Sequence, residues 1–208
     1  MGKDKIEKLL GRRERKKRQT RDALEATALR LFQRKGYDET TIEDITDAVD
    51  VSTRTFFRYF DSKEAVLFGD WRSNVERVSE AILSRPPEEP LMAVLYNAAQ
   101  RFVELVKDNE QRLLVRKELA ENSKRIGDYE RNVIYPEFER AITQALAQRM
   151  DTDPDSDPRP SLIAAMVVAA YVTARRMWLA SDGELSMIDL LNQAFEFIDY
   201  QPEKLSAK

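Results

Sequence analysis

TTIEDITDAVDVSTRTFFRYFDSK, residues 40–63, is the stretch on which the reading of this chain turns. Thr40 or Thr41 can cap a first helix, and Thr40 with Glu43 has the spacing of a capping box. Ile42, Ile45, Ala48 and Val49 recur at helical spacing and make one apolar face. Asp50 interrupts that face, Val51 puts one apolar anchor into the turn, and Ser52 is a good N-cap for a second helix. Thr53, Arg54 and Thr55 fill the first turn of that helix with polar side chains, and Phe56, Phe57 and Phe60 follow behind them. Asp61 then opens a third helix, with Glu64 at capping-box distance. A helix–turn–helix sets its second helix in the DNA major groove, its N-terminal residues toward base edges. Two short amphipathic helices also occur in many all-α proteins, so the pattern alone leaves both readings open.

The order of residues Thr41, Ile45, Ala48, Val51, Ser52, Thr55, Phe57, Tyr59, Phe60, Ser62, Lys63 and Glu64 resembles the DNA-binding motif of the TetR family of bacterial regulators. The likeness continues upstream through ALRLFQRKGYDETT (28–41), with Leu31, Phe32, Gly36, Tyr37 and Thr40 in register, and covers residues 18–78. Beyond residue 80 it is one of helix layout. Motif geometry and resemblance together imply DNA contacts from Thr41, Ser52, Thr53, Arg54, Thr55, Phe57, Tyr59 and Lys63. Three positions depart from the family pattern. Phe57 stands where Tyr is usual and has no hydroxyl for a phosphate. Tyr59 stands where His is frequent, and Arg54 where Gly is common. TFFRYF followed by SK is similar to the mycofactocin-regulator subgroup, some members of which sense fatty acyl-CoA.

The 208 residues suit one or two small domains. Cys and His are absent, which excludes a disulfide framework, a thiolate site, a Ser-His triad and the commonest metal ligand. No metal site and no cofactor is expected. The first 18 residues, MGKDKIEKLLGRRERKKR, lack the apolar core of a secretion signal. The longest apolar run, 162–174, is shorter than the roughly 20 residues a bilayer span needs. A soluble, cytoplasmic protein without a membrane partner is expected.

Charge is informative when divided. Residues 1–63 carry 16 basic and 12 acidic side chains, a balance of +4, and 64–208 carry 18 and 25, a balance of −7. Basic charge gathered at one end is the footprint of a nucleic-acid-facing domain. Residues 1–17 read as a basic arm, with Arg12, Arg13, Arg15, Lys16 and Lys17 placed for phosphates. The alternative is a solvated charge run.

Periodicity predicts an all-α chain of about nine helices. A three-helix reading head occupies 18–78, and a ligand-binding and dimerisation domain occupies 79–208. The first helix runs from 18 to 35, and a fourth runs unbroken from 62 to 83 as the link between the domains. RPPEEP (85–90) is a linker, because prolines cannot continue a helix. Pro136 kinks or splits a seventh helix. Trp71, Phe102, Tyr129, Phe138, Tyr171 and Trp178 are candidate pocket aromatics, which are equally at home in a plain core. Arg101, Arg175 and Arg176 are available to an anionic ligand or to acidic neighbours.

The helix at 160–181 is apolar on nearly every side, so every side must be covered. Either it is a central core helix, or one face packs on a second subunit. The latter makes a homodimer through Ala165, Ala169 and Ala170, with Leu190, Leu191, Ala194 and Phe195 of the last helix. The expected function is a repressor released from a palindromic operator by a small, apolar, acyl-CoA-like effector. The alternatives are an all-helical interaction module, or an enzyme; against the latter stand the missing His and Cys and the absence of a Gly-rich phosphate motif.

Overall fold

The computed structural model describes the backbone of residues 3–69, 71–107 and 110–198, and their side chains apart from 3–10, 12, 105–107 and 110–112. Every regular element among them is helical: α1 (Lys3–Lys35), α2 (Ile42–Val49), α3 (Thr53–Phe57), α4 (Lys63–Phe68), α5 (Trp71–Leu83), α6 (Leu91–Lys107), α7 (Glu110–Asn122), α8 (Lys124–Tyr129), α9 (Tyr135–Met150), α10 (Arg159–Ala180) and α11 (Met187–Ile198). A π-helical segment, Glu130–Ile134, joins α8 to α9. The chain divides into two compact units, Met1–Gly69 with Glu118–Gly127, and Asp70–Lys117 with Asp128–Lys208.

In the first unit Leu24, Ala28 and Phe32 of α1 are buried with Tyr37, Ile45, Phe56 and Phe60. These are apolar residues at helical spacing on α1, closed by the two short helices that follow. Gly36 adopts a φ of 94°, which ends α1. Of the two caps the sequence offers, Thr41 is used, and the capping box is Thr41 with Asp44 rather than Thr40 with Glu43: Thr41 Oγ1 accepts from Asp44 N, and Asp44 Oδ2 accepts from Thr41 N. Thr40 is buried instead, its hydroxyl donating to Gly36 O at 2.7 Å.

Three differences from the sequence reading have identifiable causes. α1 begins at Lys3, so residues 3–17 of the stretch 1–17 read as an arm belong to the first helix, and the first two lie outside the described residues. The helix expected over 62–83 is broken, because Gly69 has φ 60° and ψ −135°. That region is open essentially to glycine alone. The division between units falls there rather than near residue 78, and 118–127 joins the first unit, which local patterns did not signal. Pro136 gives a third case. It lacks the N–H that would bond Asn132, and the ladder upstream widens until Tyr135 N bonds Glu130 O, five residues back.

In the second unit α10 packs on α9 and α11, and α5 packs on α6 and α9. Ala164, Val167, Ala170, Ala174 and Trp178 form the inner face of α10. Its 22 residues are long and apolar enough to cross a bilayer by length and composition. One face of it packs against α9 and α11 of its own unit, and about a third of the apolar window, 33%, is buried. RPPEEP is held from within the unit: Arg149 donates to the carbonyls of Arg85, Pro86, Pro87 and Glu89.

Candidate functional site

The first unit exposes the start of α3. Asp50 takes a left-handed conformation, φ 56°, and closes α2; Val51 N then bonds Thr46 O at 3.0 Å. Ser52 caps α3, accepting from Thr55 N at 3.1 Å. Ser52, Thr53 and Arg54 are exposed at the start of the helix, and Phe56 behind them is fully buried. Phe57 is 52% exposed, which removes it from the core. Arg13, Arg15, Lys16 and Lys17 are exposed along α1. The side chain of Arg12 lies outside the described residues.

Several expected contacts carry structural duties. The hydroxyls of Ser52 and Thr41 serve as helix caps, and Thr55 Oγ1 lies 3.0 Å from Ser52 Oγ. Tyr59 accepts from Arg58 Nη2 at 3.1 Å, with the guanidinium over its ring. Lys63, assigned above to a phosphate, turns inward: Nζ donates to Tyr37 O at 2.7 Å and Thr40 O at 2.9 Å. Its signal lies in contacts more than 20 residues away, which local patterns do not carry.

The second unit holds two adjoining features. An open groove of about 900 Å³ runs between α5 and α6, bordered by Arg77, Ala81, Leu83, Ala98, Arg101 and Phe102. Phe102 meets the rings of Phe138 and Tyr171 edge-on, at 5.2 and 5.0 Å. Three of the six candidate pocket aromatics therefore converge. Of the others, Trp71 and Trp178 are buried, Trp178 in the core against which those three rings pack, and Tyr129 is half-buried on α8.

Beside Tyr171 lies a group of charges, of which Arg175 is buried and Arg116 and Glu130 are half-buried. Arg175 is 8% exposed and donates to Tyr135 Oη at 2.8 Å and to Glu130 Oε1 at 3.0 Å. Burial works against its charge, but Glu130, Tyr171 and Tyr135 outweigh it and hold its pKa above the ordinary value. Arg116 is pushed down to about 10, by burial first and by the like charge of Arg175 second. Burial raises the phenols of Tyr135 and Tyr171, so both stay protonated at neutral pH. Sequence reading singled out Arg175 but not Arg116, Glu130 or Tyr135, which come from three other elements.

Residues 24–68 match the profile of the bacterial regulatory proteins of the tetR family, and 89–201 match the MftR C-terminal domain. The chain is 33% identical over 194 residues to the HTH-type transcriptional regulator TcmR of Streptomyces glaucescens, covering 89% of this chain and 84% of that protein. The chain belongs to the TetR family. It is thus a transcription regulator with a DNA-binding helix–turn–helix, as the resemblance implied. It is also 22% identical over 179 residues to the Mycobacterium tuberculosis protein named as the mycofactocin biosynthesis transcriptional regulator MftR, over 86% of this chain and 89% of that one. Among solved TetR-family structures, a regulator from Syntrophomonas wolfei shares the fold with a TM-score of 0.59 at 20% identity, over 86% of this chain and 93% of that one. Thermus thermophilus FadR, solved with lauroyl-CoA, does so with a TM-score of 0.54 at 20% identity, over 86% and 92%.

Proposed function

We propose that this TetR-family chain is a repressor that binds a palindromic operator as a homodimer and leaves it when a small, largely apolar ligand binds the second unit. The observation that carries this reading is the first turn of α3. Arg54 is exposed there between the capping Ser52 and the buried Phe56, the only long side chain with a bidentate donor in that turn. Arginine pairing with guanine O6 and N7 is the commonest specific base contact. Exposed Arg13, Arg15, Lys16 and Lys17 add phosphate contacts. Two heads on a two-fold axis read half-sites about one helical turn apart.

The dimer surface is revised from the sequence reading. Ala170, Leu191 and Phe195 are taken up by the chain's own core. Leu162, Met166, Ala169, Thr173 and Met177 form instead an exposed stripe along α10, and Phe197 on α11 is 81% exposed. Ala165, Leu190 and Ala194 are half-buried beside that surface. Apolar surface of this extent marks an interaction site.

The ligand is assigned to the second unit because the converging aromatics and the open groove adjoin. A ligand that favours the arrangement unfit for DNA weakens operator binding by its differential affinity. The test is selection of bound DNA from a randomised duplex library, followed by gel shifts over a salt series. The reading expects a two-fold symmetric site and affinity that falls steeply with salt. Recovery of random sequence would overturn it.

A further inference from the structure

Among the described residues, the first unit leaves one large apolar side chain exposed, Phe57 at 52%. One exposed apolar residue is ordinary on any protein surface. What sets Phe57 apart is its place. It lies three residues after Arg54 within α3, and residues three apart are neighbours on one face of a helix. Arg54 is exposed as well, so an apolar ring and a guanidinium stand side by side in solvent. The ring of Phe57 is also steadied. It meets the ring of Phe56 edge-on, with centroids 5.5 Å apart and planes at 85°, and Phe56 is itself fully buried and packed at 5.5 Å against Phe60. A ring held by the core in this way has little freedom left to lose on contact with a partner.

We infer that Phe57 reads the C5-methyl group of one thymine in each half-site of the operator. A phenyl ring has no hydrogen-bonding N or O, so it can bond neither a phosphate oxygen nor the polar edge of a base. The thymine methyl is the one apolar group that a base pair presents in the major groove, and contact with an apolar side chain is how it is recognised. The exposed face of α3 thus offers two kinds of readout, a bidentate donor at Arg54 and an apolar ring at Phe57. A cytosine in place of the thymine would lack the methyl and bring its N4 donor beside a ring that cannot accept it. This assignment rests on the operator-binding reading above and adds a second recognised base to it. It makes Phe57 a specificity-determining residue, where exposure alone would make it a surface residue without a role.

The experiment uses the full-length protein and the duplex that it selects from a randomised library. Each thymine of the half-site is replaced in turn by deoxyuridine, in both half-sites at once. Deoxyuridine pairs with adenine as thymine does and lacks only the methyl. One position is expected to weaken binding by about four-fold per half-site, the worth of one buried methyl group, and the other positions to change little. The same pair of duplexes is then given to two variants. Phe57→Ala is expected to bind the thymine and uracil duplexes alike. Phe57→Tyr, which keeps the ring, is expected to retain the difference. Phe57 lies outside the core, so both variants should fold, and a purely structural role would leave the methyl dependence unmoved. A selected half-site without thymine, indifference to uracil at every thymine, or a methyl effect that persists in full in Phe57→Ala would overturn the inference. Recovery of random sequence defeats the regulator reading and this inference with it, whereas a defined operator without methyl dependence defeats this inference alone.

Discussion

The ammonium of Lys63 lies 2.7 Å from the carbonyl oxygen of Tyr37 and 4.2 Å from the centre of its ring. One side chain at the start of α4 thereby ties down the loop between α1 and α2, with Thr40 O as its second acceptor. Charged hydrogen bonds contribute roughly 1.5–3 kcal/mol each, although Tyr37 O keeps a second donor, Thr40 N at 3.3 Å. Lys63→Met is therefore expected to lower stability by about 2–3 kcal/mol. Urea unfolding checks this, and an unchanged midpoint would show that the loop does not depend on the lysine.

Asp44 couples the cap of α2 to pH. Its hydrogen bond from Lys35, then the backbone N–H of Thr41, holds its pKa at about 2, below the ordinary 3.8. A carboxylate with a depressed folded pKa stabilises the fold above its unfolded value, and that contribution disappears as pH falls through the folded one. The difference in urea midpoint between wild type and Asp44→Asn should be constant above about pH 5 and shrink between about pH 4 and pH 2. A difference that persists undiminished at pH 2 would count against the carboxylate. Thr41→Ala should cost about 1 kcal/mol at all these values.

Arg54→Ala should cost about 1–3 kcal/mol per half-site and relax preference at one base pair, as loss of a bidentate guanine contact does. Sequencing of DNA selected by the variant checks this. Uniform weakening with an unchanged preferred sequence would place Arg54 on a phosphate. Arg13→Ala with Lys16→Ala should weaken all sequences alike and flatten the salt dependence.

Neighbouring alanines on α10 should behave in opposite ways. Ala169 is exposed and Ala170 is 6% exposed. Ala169→Glu sets a carboxylate on the proposed interface and should yield a folded monomer. Ala170→Glu buries an unpaired charge, costs several kcal/mol and should impair folding. Sedimentation velocity with circular dichroism separates the two. A folded dimer of Ala169→Glu would move the interface elsewhere.

Much of the first unit was legible because its signals are local. Leu24, Ala28, Phe32, Ile45, Phe56 and Phe60 announce their burial by spacing, and Ser52 announces its helix by capping, whereas α4 is capped by Ser62 and not by Asp61 as the spacing to Glu64 suggests. Gly69 was not legible, since the apolar stripe continues on both sides of it and one glycine is tolerated in many helices. The charge group around Arg175 escaped for a different reason. Arg116, Glu130 and Tyr135 each look like ordinary helix surface in sequence, and only the packing of α7, the π segment and α9 beside α10 brings them to Arg175.

The widened turn at Glu130–Ile134 fixes the reading frame of this group in a way a point substitution cannot reveal. Each residue of an α-helix advances about 100° around the axis. The extra residue of a five-back turn therefore sets the angle between Glu130 and Tyr135, both of which must meet Arg175. Deleting Asn132 would let the ladder close in ordinary four-back steps while swinging one partner away from the guanidinium. The helix would be more regular and the charge group dismantled. Chain length at this point, together with Pro136, is thus a heritable control over whether the second unit keeps its buried arginine engaged.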